Sequence, residues 1–312
     1  MTLGIAAAVA ACLFWGLTFV APLLLTGFAP AEIAAGRFLA YGLFSAALMT
    51  SAGASAWRAP ARIWLAALLL TLAANVGYYL LLIFAIRLAG SALPTLIIGI
   101  LPVSVAVAAN LRNRELAWPL LLLSCALILG GIVLVQMSGI RWRQQSSDPV
   151  WYGLGIAAAV GALALWTWFA VANAAFLRRH PEIAPGEWSS RMGVMSLPAT
   201  LLILPLLAFP DFPIANTPEG GARPAWDFVQ VSILIGVGAT WIATWLWNRA
   251  SQALPTSLAG QLLVFETVFG LAYAFALEGK APPPLAWAGM ALLLAGVVLG
   301  IRSARRPSLP GG

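Results

Sequence analysis

Residues Leu254–Ala276, LPTSLAGQLLVFETVFGLAYAFA, form an almost unbroken apolar stretch that opens with Pro255 and holds one carboxylate, Glu266, near its middle. About 20 such residues cross the hydrocarbon of a bilayer as a helix. A charge at that depth is costly unless it faces protein, water or a ligand. The stretch has an echo upstream. ALPT occurs at Ala92–Thr95 and again at Ala253–Thr256, each time opening a long apolar run. Further on, ALILGGIVL at Ala126–Leu134 resembles ALLLAGVVL at Ala291–Leu299. The two matches lie 161 and 165 residues apart. That repetition predicts a duplicated chain with small insertions, and duplication within a membrane protein points to transport.

The composition agrees. Of 312 residues, 62% are hydrophobic and 9% charged, and mean hydropathy is +0.93. A soluble chain carries roughly 25% charged residues, so lipid is the expected solvent. The pI of about 10.2 does not mark a nucleic-acid binder, because the 17 Lys and Arg are scattered over turns, as in cytoplasmic membrane loops. Cys12 and Cys125 fall in apolar spans and read as buried free thiols.

Ten spans fit the chain, at about 3–24, 30–51, 63–83, 90–110, 117–137, 151–176, 188–208, 228–248, 254–276 and 285–302. The first reads as a retained span, since no basic region or cleavage site accompanies it. Arg87 and Gly90 mark the turn between the third and fourth. Connections are short apart from 138–150 and the Pro/Gly-rich 209–227. With the N-terminus in the cytoplasm, ten basic residues fall inside (Arg58, Arg62, Arg112, Arg114, Arg178, Arg179, Arg249, Arg302, Arg305, Arg306) and five outside (Arg87, Arg141, Arg143, Arg223, Lys280). Both termini are therefore expected in the cytoplasm. Five spans per half make the halves an inverted repeat.

Polar residues that interrupt lipid-like spans are the candidate cavity. The first helix of each half gives Trp15, Thr18, Trp166 and Trp168; the third span gives Asn75, Tyr78 and Tyr79. The eighth gives Thr240, Trp241, Thr244, Trp245 and Asn248, and the ninth Gln261 and Glu266. Asn75 with Tyr79, and Thr240 with Thr244 and Asn248, recur at four-residue spacing and share a helix face. Each Trp is equally readable as an interfacial anchor, and the amides as helix packing. Pro94 and Pro255 sit at span starts, where a missing N–H costs least, whereas Pro102 lies deeper and should interrupt the fourth span. Glu32 with Arg37, and Glu187 with Arg191, occupy span starts at opposite faces and read as membrane-edge anchors or gate pairs; Arg37, about 10 Å along its helix, can still snorkel. His180, the one histidine, reads as a solvated loop residue. No nucleophile–base pair, phosphate-cradling loop or metal-ligand cluster is visible, so neither an enzyme nor a cofactor is expected.

Several pieces together resemble the drug/metabolite transporter superfamily, in its ten-helix form with two EamA-type repeats. They are FWGLT at Phe14–Thr18, Arg37, LPV at Leu101–Val103 before Glu115, and FETVF at Phe265–Phe269 before Glu278. Thr267 stands where such families usually carry the proline of Glu-Pro-Val-Phe, so a helix break there does not follow from the motif. The resemblance implies an all-α polytopic fold with repeats at 1–137 and 151–302, a periplasmic connection at 138–150 and a cytoplasmic tail at 303–312. It implies a carrier of the bacterial inner membrane, whose partners are a small-molecule substrate and the bilayer; the repetition around an odd number of spans predicts a monomer working by alternating access. The aromatic crowding is similar to that of YddG-type aromatic amino acid exporters of Gram-negative bacteria. That similarity implies export of neutral, especially aromatic, amino acids, with Thr, Met and methyl viologen as further candidates. Efflux of drugs or cationic toxicants is the alternative within transport, and a membrane scaffold the alternative outside it. For Glu266 three roles stay open: structural hydrogen bonding, contact with a substrate ammonium, and proton coupling.

Overall fold

The computed structural model describes residues 1–90, 92–139, 149–203, 223–279 and 281–305. Among these, nine helical segments are long and apolar enough to cross a membrane: Thr2–Leu24, Pro30–Ser51, Ala61–Ala89, Ala92–Asn113, Trp118–Ser138, Pro149–Arg179, Ala225–Ala253, Thr256–Leu277 and Pro284–Arg305. Between the sixth and seventh of these runs Pro185–Leu201, 17 described residues long. It takes the seventh place in a ten-span order. Arg141, Arg143, Lys280, Arg306, the core of the 138–150 connection and most of 209–227 and of the tail lie outside the described residues.

Local chemistry sets the ends. Gly90 separates the third span from the fourth with a φ of 77°, a conformation that costs glycine little. The third span therefore runs on to Ala89 rather than ending near residue 83. Pro30 and Pro185 each stand at the first turn of a helix after an extended alanine, where the missing N–H is no loss. Pro255 is the N-cap of Thr256–Leu262, and Pro94 lies in the first turn of its own helix.

Four spans are irregular inside. The third and eighth contain π-helical turns, Leu72–Gly77 and Leu234–Ile242. The fourth breaks between Ala92–Gly99 and Leu101–Asn113, with Pro102 in the restarted turn. The ninth breaks between Thr256–Leu262 and Val264–Glu278. That break needs no proline and precedes Thr267, so the ninth span is interrupted despite the departure from the family motif. The irregularities are themselves repeated: 162 residues separate Leu72 from Leu234, and 163 separate Leu101 from Val264.

Packing repeats as well. The fifth span lies along the tenth, the fourth along the ninth, the second along the seventh, the third along the sixth and the first along the eighth. Exchanging the halves maps this set onto itself. At the fifth–tenth contact, Gly131 backs onto Gly289 and Leu293, while Gly296 backs onto Ser124 and Ile128. With Gly131 and Gly296 as equivalents 165 residues apart, Ser124 corresponds to Gly289 and Ile128 to Leu293. Each half makes the other's contact, and the two spans run in opposite directions. Small residues allow this approach where no hydrophobic effect separates helix from lipid.

A Cβ on Gly131 would stand 2.7 Å from the Gly289 carbonyl oxygen, and one on Gly296 2.9 Å from that of Ser124. Gly131→Val and Gly296→Val are each expected to cost about 1–3 kcal/mol, seen as a lower melting temperature of the purified protein in detergent. Gly153→Ala, inside a helix and with open space around its Cβ position, should not lower the melting temperature.

Candidate functional site

Two opposite charges enter the interior from different halves of the chain. Gly36 and Gly236 let the second and eighth spans approach, and a Cβ on Gly236 would come within 2.6 Å of the Arg37 carbonyl oxygen. That approach sets the Arg37 guanidinium against the eighth span's π turn. Its Nε donates to Thr240 Oγ1 at 2.7 Å, and the Thr240 hydroxyl donates to the Ile235 carbonyl at 2.8 Å. The carbonyl five residues back is one that a π turn arranges differently from an α-helix. Arg37 is thus an interior residue and not the edge anchor that its place in the sequence suggested. Its companion Glu32 stays at the edge, where it accepts from the Ala29 N–H at 2.7 Å and pairs with Arg223 at 2.6 Å.

Glu266 is placed by the break in the ninth span. The Cys12 thiol donates to the Leu262 carbonyl at 3.4 Å, next to the interruption. The chain restarts at Val264, which puts Glu266 in the first turn of the new half-helix, where the dipole favours a negative charge. Arg37 and Glu266 interact electrostatically, and Tyr78 lies within range of both. Among the described residues no ion pair within 4 Å joins them, and no hydrogen bond occupies the Glu266 carboxylate. Tyr79 and Tyr41 also lie within range of Arg37. Their hydroxyls are engaged with backbone, Tyr79 to Pro30 O at 2.6 Å and Tyr41 to Ser189 O at 2.8 Å.

Beside the break, Trp15, Trp166 and Trp247 pack with ring centroids 5.4–6.3 Å apart, and Phe265 and Phe269 lie against this cluster. On the side that carries Met1, polar side chains then tie spans together. Trp188 Nε1 donates to Asn173 Oδ1, and Asn173 Nδ2 to Asn248 Oδ1, both at 2.8 Å. Arg178 donates to Thr256 Oγ1 at 2.7 Å. Glu115 accepts from the Ser257 N–H and hydroxyl at 2.7 and 2.8 Å, which caps the ninth span. Glu187 pairs with Arg191 at 2.6 Å. These bonds join spans of both halves near the Met1 face.

The expected cavity residues divide three ways. Trp15, Tyr78, Tyr79, Trp166, Thr240 and Glu266 gather around the charge pair or the aromatic cluster, with Thr18 in the 3-10 turn of the first span and Asn75 in the π turn of the third. Thr244, Asn248 and Gln261 are buried between helices. Ser124 Oγ lies 2.7 Å from Gln261 Oε1. Trp241 donates to Ser190 Oγ at 3.0 Å and packs on Phe44 and Trp245, within the joint of the second, seventh and eighth spans. Trp168 is 51% exposed and faces outward from the bundle. His180 is a partly exposed connection residue paired with Glu182 at 2.9 Å. Cys12 and Cys125 are buried free thiols. Ser104 and Thr167, which the sequence did not single out, meet at 2.8 Å between the fourth and sixth spans. Among the described residues no three His, Cys, Asp or Glu side chains gather to hold a metal.

If Arg37 and Glu266 compensate one another, Arg37→Met and Glu266→Gln are expected to be non-additive. Each single change should lower the melting temperature, and the double variant should recover a coupling of about 0.5–3 kcal/mol. Thermal melts of the four proteins in one detergent measure it; strict additivity would show the two charges to be independent.

Comparison with known proteins agrees with this architecture. The model of the EamA-like transporter family matches residues 2–137. The inner membrane protein YtfF of Escherichia coli K12 is 34% identical over 320 aligned residues, covering 99% of this chain and 98% of that one. A protein of Haemophilus influenzae described as an uncharacterized transporter is 31% identical over 48 residues, 15% of this chain and 28% of that one. A solved crystal structure superposes with a TM-score of 0.77 over 98% of both chains at 20% identity, a likeness of fold. With its ten-span order and a relative matched along its whole length, the chain belongs to the EamA-like transporter family.

Proposed function

We propose that the protein exports neutral amino acids, aromatic ones foremost, across the bacterial inner membrane by alternating access, as a monomer with both termini in the cytoplasm. The observation that carries this reading is the pairing of Arg37 and Glu266 across the two halves, in electrostatic range but not in contact. A zwitterion fits between such groups, its carboxylate toward Arg37 and its ammonium toward Glu266. The neighbouring rings of Tyr78, Trp15 and Phe269 offer apolar surface for an aromatic side chain. The tied Met1 side corresponds to a carrier closed toward the cytoplasm. The relative's location in the inner membrane supports the compartment.

A second reading, efflux of amphipathic cations, is favoured by the Glu266 carboxylate, which makes no ion pair among the described residues and with the rings can attract a positive ligand. Proteoliposomes separate the two. Uptake of Phe, Trp, Thr, Met and methyl viologen is compared, with tryptamine and indole-3-propionate as competitors that each lack one charge. Phe and Trp are expected to be transported and to be inhibited weakly by both competitors. Glu266→Gln should raise the KM for Trp about ten- to hundredfold, the loss of one charge-assisted contact of about 1.5–3 kcal/mol. Methyl viologen flux with no amino acid flux or competition would select the cation reading. The same variant under an imposed pH gradient tests coupling: exchange retained with accumulation lost assigns Glu266 to protons.

A further inference from the structure

The Met1 face holds a second cluster of charges, away from Arg37 and Glu266. A cavity of about 220 Å³ opens between the second–third connection, the sixth–seventh connection and the start of the seventh span. Arg58, Arg62, His180, Glu182, Glu187 and Arg191 line it. Both carboxylates are already engaged, Glu187 by Arg191 at 2.6 Å and Glu182 by His180 at 2.9 Å. A hydrogen bond with its own backbone, the His180 ring and the charge of Arg62 hold Glu182 below the usual carboxylate range, so it remains an ion with a partner. The arginines are matched only in part: Arg191 pairs one nitrogen with Glu187. Arg191 is 4% exposed, and its Nε–H has no partner. The side chains of Arg58 and Arg62 make no hydrogen bond or ion pair among the described residues.

A buried N–H without an acceptor is costly, and guanidinium forks match the oxygens of phosphate. The depth fits too. Trp57 and Trp64, stacked at 6.2 Å beside Arg58 and Arg62, are of the kind that anchors at headgroup level, where basic pockets between helices take anionic headgroups. We propose that this pocket binds a phosphate oxyanion, supplied by a phospholipid headgroup or by a soluble phosphate ester. Bound there, the anion bridges connections from the two halves.

The test uses the full chain in nanodiscs of phosphatidylcholine with rising phosphatidylglycerol, and separately in pure phosphatidylcholine with inorganic phosphate or glycerol 3-phosphate. The readout is the melting temperature. Wild type is expected to be stabilised saturably, with Arg58→Gln/Arg62→Gln needing about tenfold more anion for the same shift. Both positions are exposed, so folding should survive. Arg191→Gln should also weaken the response, and Arg302→Gln/Arg305→Gln, on the same face outside the pocket, should not. Stabilisation by phosphatidylglycerol alone identifies the lipid as the source; the same response to soluble phosphate identifies the ester. Equal responses of wild type and the Arg58/Arg62 variant, or equal losses in the control pair, overturn the proposal.

Discussion

A carboxylate at the middle of an apolar span has to be compensated, and much of the interior answers to that requirement. Glu266 gains the dipole of a restarted helix and the distant charge of Arg37. Arg37 in turn depends on Thr240, whose hydroxyl exists at that spot because the eighth span is locally wound as a π turn. The two glycines that bring the second and eighth spans together complete the chain of dependence. Compensation is left incomplete, since among the described residues neither a short ion pair nor a hydrogen bond engages the carboxylate. Incomplete neutralisation inside a membrane protein is the usual mark of a place meant to hold something else.

The irregular backbone belongs to the same economy. Within hydrocarbon a helix can be interrupted only where its freed groups find partners in protein or water. The break of the ninth span is met by Cys12, and the π turn of the eighth by Thr240. The breaks in the fourth and ninth spans are equivalent in the two halves but chemically unlike. One restarts on Pro102 and the other on Val264 and Glu266. A shared backbone interruption therefore serves a charge in one half and packing with Thr167 through Ser104 in the other.

Fold class was readable from hydropathy and from the paired ALPT and glycine-bearing motifs, because span length and close packing act directly on composition. Helix interruptions were only partly readable. Pro102 announces one, but Leu262–Val264 and the two π turns are built from residues at home in any apolar helix. The site was blurred for a related reason. Mid-span Thr, Asn, Gln and Trp can face a cavity, a neighbour or lipid, and spacing of four residues does not say which; the π turns also shift that spacing. Gln261 and Asn248 turned out to be joints, and Trp168 faces away from the interior. Arg37 was misplaced because its distance from the helix start allows snorkelling. The lone Glu266 was the better guide, since a charge at that depth asks for an opposite one.

Each half of the chain begins its second helix alike, with Ala29-Pro30-Ala31-Glu32 and Ala184-Pro185-Gly186-Glu187, yet the glutamates are used differently. Glu32 closes its own helix and holds Arg223, whereas Glu187 holds Arg191. Were the halves identical, a conformation and the one reached by exchanging their roles through a two-fold rotation would have equal energy. Any preference for one of them must then come from positions where the halves differ. Here the first turns of two equivalent helices carry the same glutamate, and what each glutamate holds is decided by the arginine within its reach.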